Sequence, residues 1–136
     1  MDFSCVGTDS KGQYYMKYNK PFSFAERIQL LERSILVNSF AYYILDDNIL
    51  NDFQYDDNAK ELAELKKEHP EDFKRSRYYE YFKDYCNDED MIYTSGFDLL
   101  EKVRKADYDL YSRLHEDAST ALRLKYNMKE RRDVHV

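Results

Sequence analysis

Apolar residues recur at helical spacing along most of the chain, and polar capping residues mark where each helix begins. Ser23 and Glu26 form the serine–x–x–glutamate pattern of a helix N-terminus. The apolar residues behind them predict an amphipathic helix from Phe24 to Leu45, since they recur at the helical spacings of three, four and seven positions: Ile28, Leu31, Ile35, Tyr42 and Leu45. More apolar residues widen this stripe and predict a central helix: Leu30, Val37 and Ile44.

A second helix is predicted after a polar break at residues 46–48. Asn51 and Gln54 repeat the capping pattern, and helical spacing continues to about Glu68. His69-Pro70 ends this helix because the residue before a proline avoids the helical region. The short connection between the first two helices predicts that they fold back on each other as a helical hairpin.

The remaining segments are also predicted to be mostly helical. Aromatic residues at helical spacing predict a third helix from Phe73 to Tyr85. Ser95 to Asp98 caps a further stretch that forms one long helix or two shorter ones, broken near Asp117. Residues 129–136 are charged and predict a frayed end.

These elements predict an all-α fold with a short N-terminal appendage. Residues 1–22 are predicted to form an arm or a small β-hairpin, because apolar and polar residues alternate beside a turn from Gly7 to Gly12. Residues 23–71 form the helical hairpin, and residues 72–136 extend it by one or two further helices into a small bundle. We expect the whole to be a single compact domain.

Composition narrows the classes of function. The chain has 136 residues with a net charge of −6, which disfavours direct nucleic-acid binding. It has only three glycines, which argues against phosphate-cradling loops. We found neither a secretory signal nor an apolar stretch long enough to span a membrane, and we expect Cys5 and Cys86 to be reduced thiols. A cytoplasmic location is therefore predicted.

The connection between the first two helices carries the most specific set of side chains. Tyr42 and Tyr43 lie in the last turn of one helix, and Asp52, Tyr55 and Asp56 share one face at the start of the next. The helical hairpin brings these aromatic rings and carboxylates towards one small cleft. Such rings can stack on a flat, cationic heterocycle, and the carboxylates can accept hydrogen bonds from sugar hydroxyls or an amide.

The same stretch is strongly acidic. Five aspartates and no basic residue lie between Asp46 and Asp57, so the stretch would repel a phosphate unless a basic side chain comes from elsewhere. It lacks the glycine and spacing of a calcium-binding loop, and the three histidines are isolated, so no metal is expected. The alternative interpretation is structural, with tyrosines that pack two helices and aspartates that cap one.

This stretch resembles the small N-terminal domain of bacterial NAD-dependent DNA ligases. That domain carries the pattern Y-H/Y-x-x-D-x-P-x-I-S/P-D-x-E-Y-D-x-L, followed by a helix that ends in H-P-E. The residues that match the pattern are Tyr42, Tyr43, Asp46, Asp52, Tyr55 and Asp56, followed by His69, Pro70 and Glu71. The resemblance covers roughly residues 24–71. Tyr43 stands where many members have histidine, Asn48 replaces a proline, Gln54 a glutamate and Asn58 a leucine.

The resemblance implies binding of NAD, through its nicotinamide mononucleotide half, or of free nicotinamide mononucleotide. In the family, the tyrosines matched by Tyr42 and Tyr55 flank the nicotinamide ring. The aspartates matched by Asp52 and Asp56 help to bind the nucleoside. The predicted cofactor-binding residues are these four and Tyr43. No residue is expected to be catalytic.

The ligase's catalytic Lys-x-Asp-Gly motif does not occur in this sequence. We therefore expect that the protein is not a ligase by itself and that it is similar to short ligase-related proteins of phages and prophages. The leading hypothesis is a non-catalytic nicotinamide-nucleotide-binding protein in the cytoplasm of a bacterial host. The alternative is a protein-interaction module that inhibits or modulates a host enzyme or defence complex. A third hypothesis is hydrolysis of a nicotinamide nucleotide by Asp52 or Asp56.

Overall fold

The structure is a computed structural model that describes residues 6–8, 14–16, 23–85 and 95–134. These described residues form six helices and one two-stranded sheet. In chain order the elements are β1 Val6–Thr8, β2 Tyr14–Met16, α1 Phe24–Tyr43, α2 Asp52–Glu68, α3 Pro70–Lys74, α4 Tyr79–Phe82, α5 Gly96–Ala106 and α6 Tyr108–Val134. The predicted all-α fold is confirmed.

The strands β1 and β2 form an antiparallel β-hairpin in which Val6 pairs with Met16 and Thr8 with Tyr14. A β-hairpin within residues 1–22 was one of the two predicted forms of the N-terminal appendage. Cys5 and Cys86 lie outside the described residues. The domain boundaries at residues 22 and 71 stay predictions.

Three helices begin at the residues that the capping patterns predicted. Ser23 caps α1, Asn51 caps α2 and Ser95 caps α5, each in a reciprocal capping box with the residue three positions later. The Asn51 side chain accepts from the Gln54 amide at 2.8 Å, and the Gln54 side chain accepts from the Asn51 amide at 3.1 Å. These bonds satisfy amide groups that an uncapped helix would leave without a partner.

Helix α1 is the centre of the molecule, as predicted. It packs against α2, α5 and α6, and buried side chains recur along it from Ile28 to Ala41. Arg27 of α1 and Glu61 of α2 form a bidentate ion pair with two N–O distances of 2.7 Å. The predicted helical hairpin is therefore present, and α1 is its wall towards the rest of the bundle.

The predicted third helix from Phe73 to Tyr85 is wrong as a continuous element. The structure has two short helices, α3 and α4, separated by a turn. At this turn Ser76 donates a hydrogen bond of 3.0 Å to the buried carboxylate of Glu32 in α1. Of the five aromatic residues that suggested one helix, Tyr81 is partly buried and the other four are buried: Phe73, Tyr78, Phe82 and Tyr85. Tertiary packing rather than one regular helix therefore explains their spacing.

The predicted break in the C-terminal helical region is misplaced. The chain leaves α5 at Asp107 and not near Asp117, which lies within α6. The Asp107 carboxylate accepts from the Leu110 amide at 3.0 Å, as an N-cap residue does, so it starts α6. Helix α6 continues to Val134 and thus includes most of the predicted frayed end.

Candidate functional site

A cleft of about 180 Å³ lies where the helical hairpin turns from α1 into α2. It contains four of the five predicted binding residues and several others. The residues that line it are Asn38, Ser39, Tyr42, Tyr43, Asn48, Ile49, Leu50, Asp52 and Tyr55. The structure therefore brings together the two tyrosines at the end of α1, one aspartate and the tyrosine at the start of α2.

The loop between α1 and α2 is fixed by backbone hydrogen bonds. The Ile44 amide donates to the Phe40 carbonyl at 2.9 Å, and the Asp47 amide donates to the Ala41 carbonyl at 3.0 Å. Between them Asp46 adopts a positive φ of 56°, in the left-handed region that aspartate tolerates better than most residues. These bonds end α1 sharply and turn the chain back towards α2.

Tyr42 and Tyr43 project from the last turn of α1 with exposed fractions of 53% and 44%. Their rings meet edge to face with centroids 4.8 Å apart. Tyr43 also makes an edge contact with Phe97 of α5, at 6.0 Å between centroids. Both rings are therefore accessible to a ligand. The ring of Tyr43 is also supported by α5, which lies outside the helical hairpin.

Tyr55 lines the cleft from the start of α2 and is half-buried. Its hydroxyl group lies 3.0 Å from Ser39 Oγ and 3.5 Å from the hydroxyl of Tyr85. Burial raises the pKa of the Tyr85 hydroxyl, and the nearby Tyr55 raises it further. The Tyr85 hydroxyl therefore stays protonated. These bonds anchor the far end of the Tyr55 side chain, which fixes the orientation of its ring at the cleft.

The two predicted aspartates differ in position. Asp52 lines the cleft, whereas Asp56 is exposed one turn further along α2 and is not part of the cleft wall that the described residues form. A ligand seated in the cleft would have to extend beyond it to reach Asp56. The binding role of all five residues stays a prediction.

Helix α6 contributes side chains to this region that sequence reasoning missed. Tyr126 donates a hydrogen bond to the Asp47 carboxylate, and Lys125 donates to the carbonyl of the cleft residue Asn48. The hydrogen bond from Tyr126, together with the Asn48 amide and the charge of Lys125, lowers the pKa of Asp47. The sequence carries no signal for these contacts, because 77 positions separate Lys125 from Asn48.

Helix α5 packs against two residues that line the cleft, Ser39 and Tyr43. A Cβ atom placed on Gly96 would lie 2.6 Å from Ser39 Oγ and 3.0 Å from Cε2 of Tyr43. Only a glycine permits so close an approach, and it lets the first turn of α5 pack directly against Ser39 and Tyr43.

Within residues 23–85 and 95–134, no group of three or more His, Cys, Asp or Glu side chains is arranged to hold a metal ion. None of the helices described there is both long and apolar enough to cross a membrane.

Comparison with known proteins identifies the segment that carries the cleft. Residues 21–77 match the family "DNA ligase-like, N-terminal NAD+-binding domain". This ligase-like segment, residues 21–77, includes α1, α2, α3 and the whole cleft wall. The match confirms the resemblance inferred from residues 24–71.

Curated DNA ligases match the chain over a similar length. The ligase of Petrotoga mobilis is 41% identical over 51 residues, which is 38% of this chain and 8% of that protein. The ligase of Thermosipho africanus is 40% identical over 48 residues, 35% of this chain and 7% of that protein. The matched part thus spans less than a tenth of these relatives. No solved structure matches the chain significantly.

Proposed function

We propose that the protein is a non-catalytic binding protein whose cleft holds the nicotinamide half of NAD, or free nicotinamide mononucleotide. One observation carries this proposal: Tyr42, Asp52 and Tyr55 line a single open cleft within the segment that matches an NAD+-binding family. The rings of Tyr42 and Tyr55 would flank the nicotinamide ring. The carboxylate of Asp52 would accept from its amide or from the ribose.

The size and charge of the cleft suit the heterocycle better than a whole dinucleotide. Pockets that enclose a drug-sized ligand measure roughly 300–1,000 Å³, whereas this cleft measures about 180 Å³. In the proposed complex the nicotinamide ring occupies the cleft, and the ribose lies outside it, where Asp56 is exposed. The oxidised nicotinamide ring is cationic and gains a cation–π attraction from the tyrosines.

The proposed role is recognition rather than ligation. The ligases match through their N-terminal domain, and this sequence has no Lys-x-Asp-Gly motif. In this proposal a phage- or prophage-encoded protein acts in the cytoplasm of its bacterial host. It would sense or sequester nicotinamide nucleotides, or supply the recognition half to a partner nucleotidyltransferase.

Calorimetric titration with NAD, nicotinamide mononucleotide and AMP tests the proposal. We expect the first two ligands to bind and AMP to bind poorly, because AMP lacks the nicotinamide ring. Tyr42→Ala should weaken binding about tenfold or more, since one stacked aromatic contact is worth roughly 1–3 kcal/mol. Tyr108→Ala is the matched control, because Tyr108 is exposed at the start of α6 and outside the cleft wall.

Absence of binding by NAD and nicotinamide mononucleotide at millimolar concentration would rule out this function. Release of free nicotinamide during the titration would instead favour hydrolysis by Asp52 or Asp56.

Exposed aromatic side chains around the cleft favour a second candidate, a protein-interaction module that modulates a host enzyme or defence complex. Phe53, in the first turn of α2, is 73% exposed, and Phe97, in the first turn of α5, is 44% exposed. Exposed aromatic groups of this kind are typical of protein interfaces. Stoichiometric binding of a host protein that persists in the Tyr42→Ala and Asp56→Ala variants would favour this candidate over nucleotide binding.

A further inference from the structure

The cleft loop has a charge problem if its ligand carries a phosphate. Residues 46–57 contain five aspartates and no lysine or arginine. A phosphate held beside these carboxylates would be repelled, because like charges at short range cost free energy even near a protein surface. A cation from another part of the chain would remove this penalty.

Helix α6 brings a cation to the edge of the cleft. The Lys125 ammonium group donates to the backbone carbonyl of Asn48, which lines the cleft. The neighbouring Tyr126 hydroxyl binds the Asp47 carboxylate, so two consecutive side chains of α6 fix the helix to this loop. An ammonium group has three N–H donors, and Lys125 can therefore keep its bond to Asn48 while it donates to a ligand.

We propose that Lys125 binds the phosphate group of the nucleotide whose nicotinamide ring occupies the cleft. This inference rests on the function proposed above and adds a phosphate subsite to it. Lys125 lies outside the ligase-like segment at residues 21–77, so this subsite belongs to the C-terminal helices. Lysine binds phosphate as a compact point charge and needs no bidentate geometry, which suits a single side chain at the rim of a cleft.

Two ligands that differ only in the phosphate test the subsite. Wild-type protein and the Lys125→Gln variant are titrated with nicotinamide mononucleotide and with nicotinamide riboside. We expect Lys125→Gln to weaken mononucleotide binding about twofold to fivefold, the range of one solvent-exposed charge contact, and to leave riboside binding unchanged. Lys125→Arg should preserve the preference for the mononucleotide, because it keeps the charge.

Lys74→Gln is the matched control. Lys74 is an exposed lysine of α3, next to the end of α2 that is remote from the cleft. This variant should bind both ligands as the wild type does. Added salt should reduce mononucleotide binding by the wild type more than by Lys125→Gln, since salt screens the charge contact.

The outcomes separate this inference from the proposed function. Equal weakening of both ligands by Lys125→Gln would show that Lys125 only supports the loop, and would overturn the phosphate subsite while nicotinamide binding stands. An unchanged affinity for the mononucleotide would overturn it as well. Failure of the wild-type protein to bind either ligand would overturn both proposals.

Discussion

Glu32 is a carboxyl group in the core, between α1 and the turn that follows α3. Its side chain has no solvent exposure, and one oxygen, Oε2, accepts from the Ser76 hydroxyl at 3.0 Å. The other oxygen, Oε1, is buried and has no hydrogen-bond partner among the residues that the structure describes. Burial outweighs the opposing effects of Ser76 and Lys66 and raises the pKa of Glu32 from 4.5 to about 7.

We predict that Glu32 makes the protein less stable as the pH rises from about 4.5 to about 7. In this window the unfolded state loses the Glu32 proton, whereas the folded state keeps it, so the free energy of unfolding falls with pH. The full effect is about 3 kcal/mol, from a shift of two to three pKa units. Below pH 4.5 both states are protonated, and above the folded pKa the penalty is constant.

Urea unfolding of wild type and Glu32→Gln between pH 4 and pH 8 measures this effect. The stability of Glu32→Gln relative to wild type should rise by about 3 kcal/mol across the range, because glutamine does not titrate. Glu64→Gln, at an exposed position of α2, is the control. A stability difference between Glu32→Gln and wild type that does not change with pH would contradict the prediction.

Local sequence could identify some single residues of the cleft and of the core and not others. Tyr42, Asp52 and Tyr55 were predicted because they fall in a short pattern on either side of one turn. Ser39, which orients Tyr55, and Glu32 are polar residues within an apolar stripe, and their partners lie in distant segments. A pattern of nearby residues carries no information on such partners.

The contact between helices α1 and α5 depends on one small residue. Gly96 lies in the first turn of α5, and its backbone packs against Ser39 and Tyr43 of α1. A glycine is needed at this position because α5 approaches α1 closely here, and not because the backbone adopts an unusual angle.

We predict that Gly96→Ala destabilises the protein by about 1–3 kcal/mol, the usual cost of forcing a group into a packed interface. Thermal or urea unfolding measures this cost. It should be smaller in a Ser39→Ala background, where the oxygen that lies 2.6 Å from the new Cβ is absent. An equal cost in both backgrounds, or a gain from the better helix propensity of alanine, would contradict the assigned contact.

Helix boundaries were predictable where a side chain caps the helix locally. Ser23, Asn51 and Ser95 did so within three residues of the first helical turn. The division of the segment from Phe73 to Tyr85 was not predictable, because Ser76 binds a carboxylate 44 positions away. The start of α6 at Asp107 had a local signal, the bond to the Leu110 amide, but the uninterrupted apolar spacing obscured it.

At the scale of the whole molecule, helix α1 of the ligase-like segment also provides the surface on which the C-terminal helices α5 and α6 pack. Phe40 of α1 packs edge to face against Tyr111 of α6, with centroids 5.0 Å apart, and Arg33 forms an ion pair with Asp117. The core therefore continues from the ligase-like segment into α5 and α6. The widened apolar stripe predicted this central position, although three of its residues, Leu30, Tyr42 and Ile44, are exposed.

We predict that residues 21–77 alone do not fold stably. Removal of α5 and α6 would expose the side of α1 that they cover, and a chain of ~60 residues has little core to spare. Circular dichroism and thermal unfolding of this fragment should show reduced helix content and no cooperative transition. Residues 23–134, as the control, should unfold in one transition. A fragment with full helix content and a cooperative transition would show that the segment is an independent domain.

The last turn of α1 has a practical consequence for engineers who want to change what the cleft binds. Phe40 and Ala41 are buried, whereas Tyr42, Tyr43 and Asn48 are exposed around the cavity. A mutant library that randomises the three exposed positions would vary the ligand-facing surface with little effect on folding. Libraries that include positions 40 and 41 would consist mainly of unstable variants, so ligand selectivity can be redesigned here without redesign of the bundle.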